Sequence, residues 1–89
     1  MQITVTKPTE EQLKKQSILS WPIWEKEVST FGWRYDQTEV CYFLDGEVEV
    51  EIAGGKKVSM GKGDLVTFPK GLECTWCIKS DVRKHYNFF

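Results

Sequence analysis

Residues 39–71 read EVCYFLDGEVEVEIAGGKKVSMGKGDLVTFPKG, a run of alternating segments cut by glycine turns. Within it, Glu47-Val48-Glu49-Val50-Glu51-Ile52 alternates charge and aliphatic at every step, the period-two pattern of a strand with one wet and one dry face. Glu39 to Leu44 is a second strand, rich in aromatic and aliphatic residues, and Asp45-Gly46 predicts the turn that closes it. Gly54-Gly55 predicts a hairpin into Lys56 to Met60. Gly61-Lys62-Gly63-Asp64 then turns into Leu65 to Phe68, and Pro69-Lys70-Gly71 into the strand after that.

On the C-terminal side, Leu72 to Lys79 and Val82 to Phe89 continue the same texture as two further strands. On the other side, Ile3-Thr4-Val5 is a short strand ended by Lys7-Pro8. Thr9-Glu10-Glu11-Gln12 has capping-box spacing with carboxylates in the first turn, which predicts a helix from Thr9 to about Gln16. No later segment carries a 3.6-residue stripe, and Trp21-Pro22-Ile23-Trp24 suits an edge or a turn. About eight short strands separated by Gly and Pro turns predict an all-β fold: a closed or double-sheet antiparallel barrel of the jelly-roll kind with a short N-terminal helix. The expected organisation is a single domain over residues 1–89, with the N-terminal strand and helix in 1–20 and the barrel over about 21–89.

Composition narrows the function classes. Twelve Lys and Arg against 13 Asp and Glu give a net charge of −1, with no basic cluster beyond two Lys-Lys pairs, so no nucleic-acid partner is expected. The longest apolar run, Val40 to Leu44, is far short of the roughly 20 residues of a membrane span, and no leader is visible at the N-terminus; the reading is cytoplasmic, without a membrane partner. Three cysteines are an odd set for a disulfide framework. Cys74-Thr75-Trp76-Cys77 spells C-x-x-C, but on a strand a three-residue step spans roughly 10 Å and sends the two side chains to opposite faces, which argues against redox chemistry; a structural zinc site would need a second ligand pair at short spacing, and only Cys41 and His85 remain elsewhere.

The chain resembles the cupins, small β-barrels with a first motif G-x5-H-x-H-x3-E-x6-G and a second G-x5-P-x-G-x2-H-x3-N. Glu39 and Gly46 keep E-x6-G of the first; Gly63, Pro69 and Gly71 keep G-x5-P-x-G of the second. The closer resemblance is to small single-domain cupins of the ureidoglycine aminohydrolase-like and ethanolamine-utilisation-like group. Trp21-Pro22-Ile23-Trp24, Cys74-Thr75-Trp76 and Arg83-Lys84-His85-Tyr86 carry it. The resemblance implies the cupin barrel and often a homodimer. At the positions of the family's metal ligands, however, stand Trp33, Tyr35, Glu39 and Cys74, and the chain holds one histidine. An indole N–H has no lone pair to donate, and a tyrosine must shed a proton of pKa near 10. No cofactor is therefore expected, and a divalent metal, if one binds, would use Tyr35, Glu39 and Cys74.

What this leaves is a small-molecule pocket. Alternation puts Glu39, Cys41 and Phe43 on one face of their strand and Cys74 and Trp76 on one face of theirs; the cupin resemblance turns the Glu39 face toward the cavity and so implies a pocket of Trp33, Tyr35, Glu39, Cys41, Phe43, Cys74 and Trp76. A carboxylate aimed into an aromatic interior is costly unless paired, neutralised or bound to something, which makes Glu39 the candidate catalytic acid or base. Lys84 is the second candidate, as countercharge to Glu39 or as an orienting group. His85, of opposite parity to Lys84 and Tyr86, is expected on the surface if those two point inward. The Trp21 and Trp24 pair reads as core, a barrel-end plug or a dimer contact. The resulting expectation is a small-molecule-binding cupin acting on a nitrogen-containing or carboxylate metabolite. The alternatives are a metal-dependent cupin with a rebuilt Tyr/Glu/Cys site, and a non-catalytic structural or sensing cupin.

Overall fold

The structure, a computed structural model, describes residues 2–89. Strand β1 (Thr4–Thr6) precedes helix α1 (Glu10–Lys15) and a 3-10 turn (Ile18–Ser20); β2 (Ile23–Lys26), β3 (Ser29–Arg34), β4 (Glu39–Ile52), β5 (Lys57–Gly61), β6 (Leu65–Phe68) and β7 (Glu73–Phe88) follow. The helix begins as its sequence predicts: the Gln12 amide donates to Thr9 Oγ1 at 3.2 Å, and the Thr9 amide donates to Gln12 Oε1 at 2.8 Å.

The seven strands form one antiparallel sheet. Its spine is the pairing of β4 with β7, which runs from Glu39 opposite Phe88 to Ile52 opposite Cys74. Around the N-terminal half of β4 and the C-terminal half of β7 lie β6, β1 and β2; around the other two halves lie β5 and β3. The two halves face each other through side chains. Phe68 on β6 lies 5.6 Å from Trp76 on β7, and Trp24 on β2 lies 5.9 Å from the same indole. A jelly roll is consistent with this arrangement, but the expected closed barrel is not what forms: no hydrogen-bond ladder joins the edge strands among the described residues.

Two expected strand breaks are also absent. Asp45-Gly46 is not a turn but a set of irregularities inside β4, where the register against β7 shifts between Phe43 and Val48. Gly46 makes this possible: its φ is +105°, and a Cβ there would lie 2.8 Å from the Asp81 carbonyl oxygen and the Val82 Cα. The bulging also exchanges the inward parity, so Cys41 and Phe43 are buried before it and Val48 and Val50 after it. Because β4 absorbs the bend, β7 passes through Ser80 and Asp81 unbroken.

The core follows this alternation: Tyr35, Phe43, Val48, Val50, Val66, Phe68, Trp76 and Ile78 are all buried. Tyr35 stacks on Phe68 at 4.8 Å and 8°, an aromatic pair contributing about 0.5–1.5 kcal/mol beyond its area. His85 corrects the expectation of a surface position. Although Lys84 points inward, His85 is buried as well, because the segment after α1 covers its outer side and the Trp21 carbonyl lies 2.8 Å from Nδ1. No helix among the described residues is long and apolar enough to cross a membrane.

Candidate functional site

The two half-sheets leave a cavity of about 240 Å³ between them, lined by Trp24 (β2), Phe31 and Trp33 (β3), Glu39 (β4), and Trp76, Lys84, Tyr86 and Phe88 (β7). The bend of the β4–β7 ribbon is what assembles it. Trp76 and Lys84 lie eight positions apart on one strand, yet the Lys84 ammonium sits 4.8 Å from the Trp76 ring centroid.

At the floor of this aromatic cavity, Lys84 Nζ donates to Glu39 Oε2 at 2.8 Å. Both residues are nearly sealed, Lys84 at 4% and Glu39 at 5% exposure. The ammonium also lies 4.9 Å from the Trp24 centroid, 5.9 Å from Phe43 and 6.0 Å from Phe68. Rings present negative faces to a cation, each such contact contributing about 0.5–2 kcal/mol, so the cage and the carboxylate together hold the charge in place. Among the described residues Lys84 is the one hydrogen-bond partner of the Glu39 side chain, and it takes Oε2. No sealed side-chain polar atom lacks a partner, so Oε1 is open to the cavity. The site therefore offers a fixed ammonium and an unengaged carboxylate oxygen side by side beneath apolar walls.

Of the residues expected at the site, Trp33, Glu39 and Trp76 line the cavity together with Lys84. Tyr35, Cys41, Phe43 and Cys74 do not; they lie in the packed layer behind it. Tyr35 is fixed by backbone bonds, its amide donating to the Leu72 carbonyl and its carbonyl accepting from the Gly71 amide. Its hydroxyl accepts from Trp76 Nε1 at 3.1 Å, which makes it a residue that positions the indole wall. Cys41 and Phe43 lie under Lys84. Trp24, Phe31, Tyr86 and Phe88 were missed as lining residues. Tyr86 and Phe88 share Lys84's parity, a signal available in the sequence; Phe31 becomes visible only through the register that sets it opposite Trp76.

The donor set does not fit a divalent metal. Burial, then the nearby Glu39 carboxylate, raises the Tyr35 hydroxyl well above its ordinary value, and Trp76 already donates to its oxygen. Burial pushes the Cys74 thiol up to about 11 and Cys41 up to about 12, so both are protonated at neutral pH. Glu39, the remaining candidate ligand, is engaged by an ammonium that would repel a dication. Among the described residues no three His, Cys, Asp or Glu side chains gather as a metal site.

A family model described as a EutQ-like cupin domain matches residues 13–86. The chain belongs to the EutQ-like cupin family. Among solved structures, this EutQ-like cupin is 58% identical to a DUF861 family protein from Thermotoga maritima, with a TM-score of 0.97 over 99% of this chain and 100% of that one. The EutQ protein of Clostridium difficile is 31% identical with a TM-score of 0.66, over 72% of this chain and 50% of that one. A curated relative, acetate kinase EutQ of Clostridioides difficile (strain 630), is 30% identical over 74 residues, 83% of this chain. The EutQ-like cupin described here spans 46% of that relative's length. The family match includes every cavity-lining residue except Phe88.

Proposed function

We propose that this EutQ-like cupin binds a small nitrogen-containing or carboxylate metabolite in the aromatic cavity, with Glu39 as proton acceptor or donor and Lys84 orienting the ligand's oxygen. The buried Glu39–Lys84 pair carries this reading. Desolvating two charges costs several kcal/mol per ion, and apolar side chains of similar volume commonly leave a domain as stable or more so. A pair kept at the floor of a cavity, with one carboxylate oxygen open to it, is therefore better suited to recognition than to holding the fold. The cavity volume of about 240 Å³ lies below the roughly 300–1,000 Å³ of drug-sized ligand sites, which favours a small ligand.

The activity named for the clostridial relative is not part of this reading. The lining supplies one basic side chain, already engaged by Glu39, where a nucleoside triphosphate calls for several donors. A homodimer belongs to the proposal, supported by the exposed Leu19, Ile23 and Phe89, and light scattering tests it.

The test is a thermal-stabilisation screen of small carboxylates, amides and amines against the wild type and Glu39→Gln. A ligand at a hundredfold excess over its Kd stabilises the folded state by about 2.7 kcal/mol, a shift easily read by tryptophan fluorescence. Compounds that stabilise the wild type and lose that effect in a folded Glu39→Gln support the reading. Equal stabilisation of both proteins would place the ligand elsewhere.

A further inference from the structure

We propose that Lys84 is an imine-forming lysine, and that the cavity takes small aldehydes or ketones as covalent, reversible occupants. This rests on the pocket reading above and narrows its ligand class. Of the chain's lysines Lys84 alone is buried, and it lines an apolar cavity beside a carboxylate 2.8 Å away. Apolar surroundings and a positioned proton acceptor are what amine nucleophiles require.

The step balances within the pair. The Lys84 ammonium gives a proton to Glu39, and the freed nitrogen lone pair forms a C–N bond to the carbonyl carbon while the C=O π electrons move to oxygen. A proton passes from that nitrogen to the oxygen, giving a carbinolamine. Glu39 returns its proton to the hydroxyl, the C–O bond breaks with loss of water, and the nitrogen lone pair closes the C=N bond. Nothing is oxidised or reduced. The site begins as ammonium and carboxylate and ends as iminium and carboxylate, so its charge is unchanged.

That charge balance answers the main objection, that the aromatic cage and Glu39 hold Lys84 as a cation. The Trp24 and Trp76 faces, 4.9 and 4.8 Å from Nζ, favour an iminium for the same electrostatic reason that they favour an ammonium. Only the intervening neutral pair loses that stabilisation. Trp33 and Phe88, 52% and 45% exposed, stand where the apolar body of the carbonyl compound would lie.

The experiment treats the full chain with benzaldehyde, and separately with propanal, in the presence of cyanoborohydride, which reduces an iminium to a stable secondary amine. Peptide mass mapping then follows each lysine in time. Lys84 should acquire the alkyl group at least about tenfold faster than the average exposed lysine. Benzyl alcohol, an unreactive occupant, should slow labelling at Lys84 alone, and Lys84→Arg should remove the fast phase while the protein stays folded. Labelling of Lys84 no faster than the exposed lysines with either aldehyde overturns the proposal. If unreactive ligands still stabilise the wild type through Glu39 in that case, the pocket reading survives without it; if nothing binds, both fail.

Discussion

Lys84→Met removes the ammonium while keeping an unbranched stem in the aromatic cage. Glu39 is 5% exposed, and among the described residues no other side chain hydrogen-bonds it, so the substitution leaves a carboxylate buried without a partner. Breaking a buried pair in this way costs about 3–5 kcal/mol. In a domain of 60–100 residues each kcal/mol moves Tm by about 4–8 °C, so even the low end predicts a fall of about 12 °C or more. Replacing both partners, Glu39→Leu with Lys84→Met, removes the desolvation penalty along with the attraction, and the double variant should return to within about 1 kcal/mol of the wild type or exceed it. Urea unfolding followed by tryptophan fluorescence at neutral pH measures all three proteins. A loss below about 1 kcal/mol for Lys84→Met, the range of exposed ion pairs, would mean instead that the pair is solvated rather than sealed under the rings.

The buried thiols set an alkaline limit. Burial raises Cys41 from 9.0 to about 12 and Cys74 from 9.0 to about 11, so their contribution to stability is intact below pH 9.0 and declines as pH rises through 11 and 12, where unfolded thiols ionise and folded ones resist. Urea unfolding across that range should show the decline, and Cys41→Ala with Cys74→Ala should flatten it; an unchanged slope would count against the buried assignment. Tyr35→Phe strands Trp76 Nε1 in the core and should cost about 1–3 kcal/mol, with a shift in tryptophan emission; a neutral result would mean that the indole is not held by the hydroxyl. Gly46→Ala forces a Cβ against the backbone at Asp81 and Val82 and a left-handed φ on alanine, for a loss of about 2–4 kcal/mol by thermal denaturation; tolerance would show that the ribbon bends without it.

The elements that follow from local periodicity were legible in the sequence. Thr9 capping, the Glu47 to Ile52 alternation and the shared face of Glu39, Cys41 and Phe43 each depend on residues a few positions apart. Asp45-Gly46 misleads because a hairpin turn and a strand irregularity ask the same positive φ of glycine, and only the pairing of β4 with β7 on both sides of it tells the two apart. The unbroken β7 is illegible for another reason: Lys79, Ser80 and Asp81 are all exposed, and nothing in their sequence distinguishes a solvated strand from a loop. At the site, Glu39 and Lys84 could be named from parity and charge cost. Trp24 and Phe31 depend on which stretch of β7 each edge strand meets, and that is fixed by pairings distant in sequence. His85 defeats an inside-outside argument because the N-terminal segment adds a covering layer that strand alternation does not anticipate.

The last long strand, β7, pairs with three of the other six, β2, β3 and β4, and it contributes four of the eight residues around the cavity. A chain emerging from the ribosome N-terminus first holds β2 and β3 with no partner until residues beyond 73 are free. The β4–β6 and β4–β5 pairings can close locally, but neither half-sheet is complete, and closing the β4–β7 ladder has to bridge the intervening chain at an entropic cost. Neither half-sheet can therefore complete its pairing before β7 is available. Until then Trp24 of β2 and Trp33 of β3 lack the strand against which they pair, opposite Lys84 and Cys74.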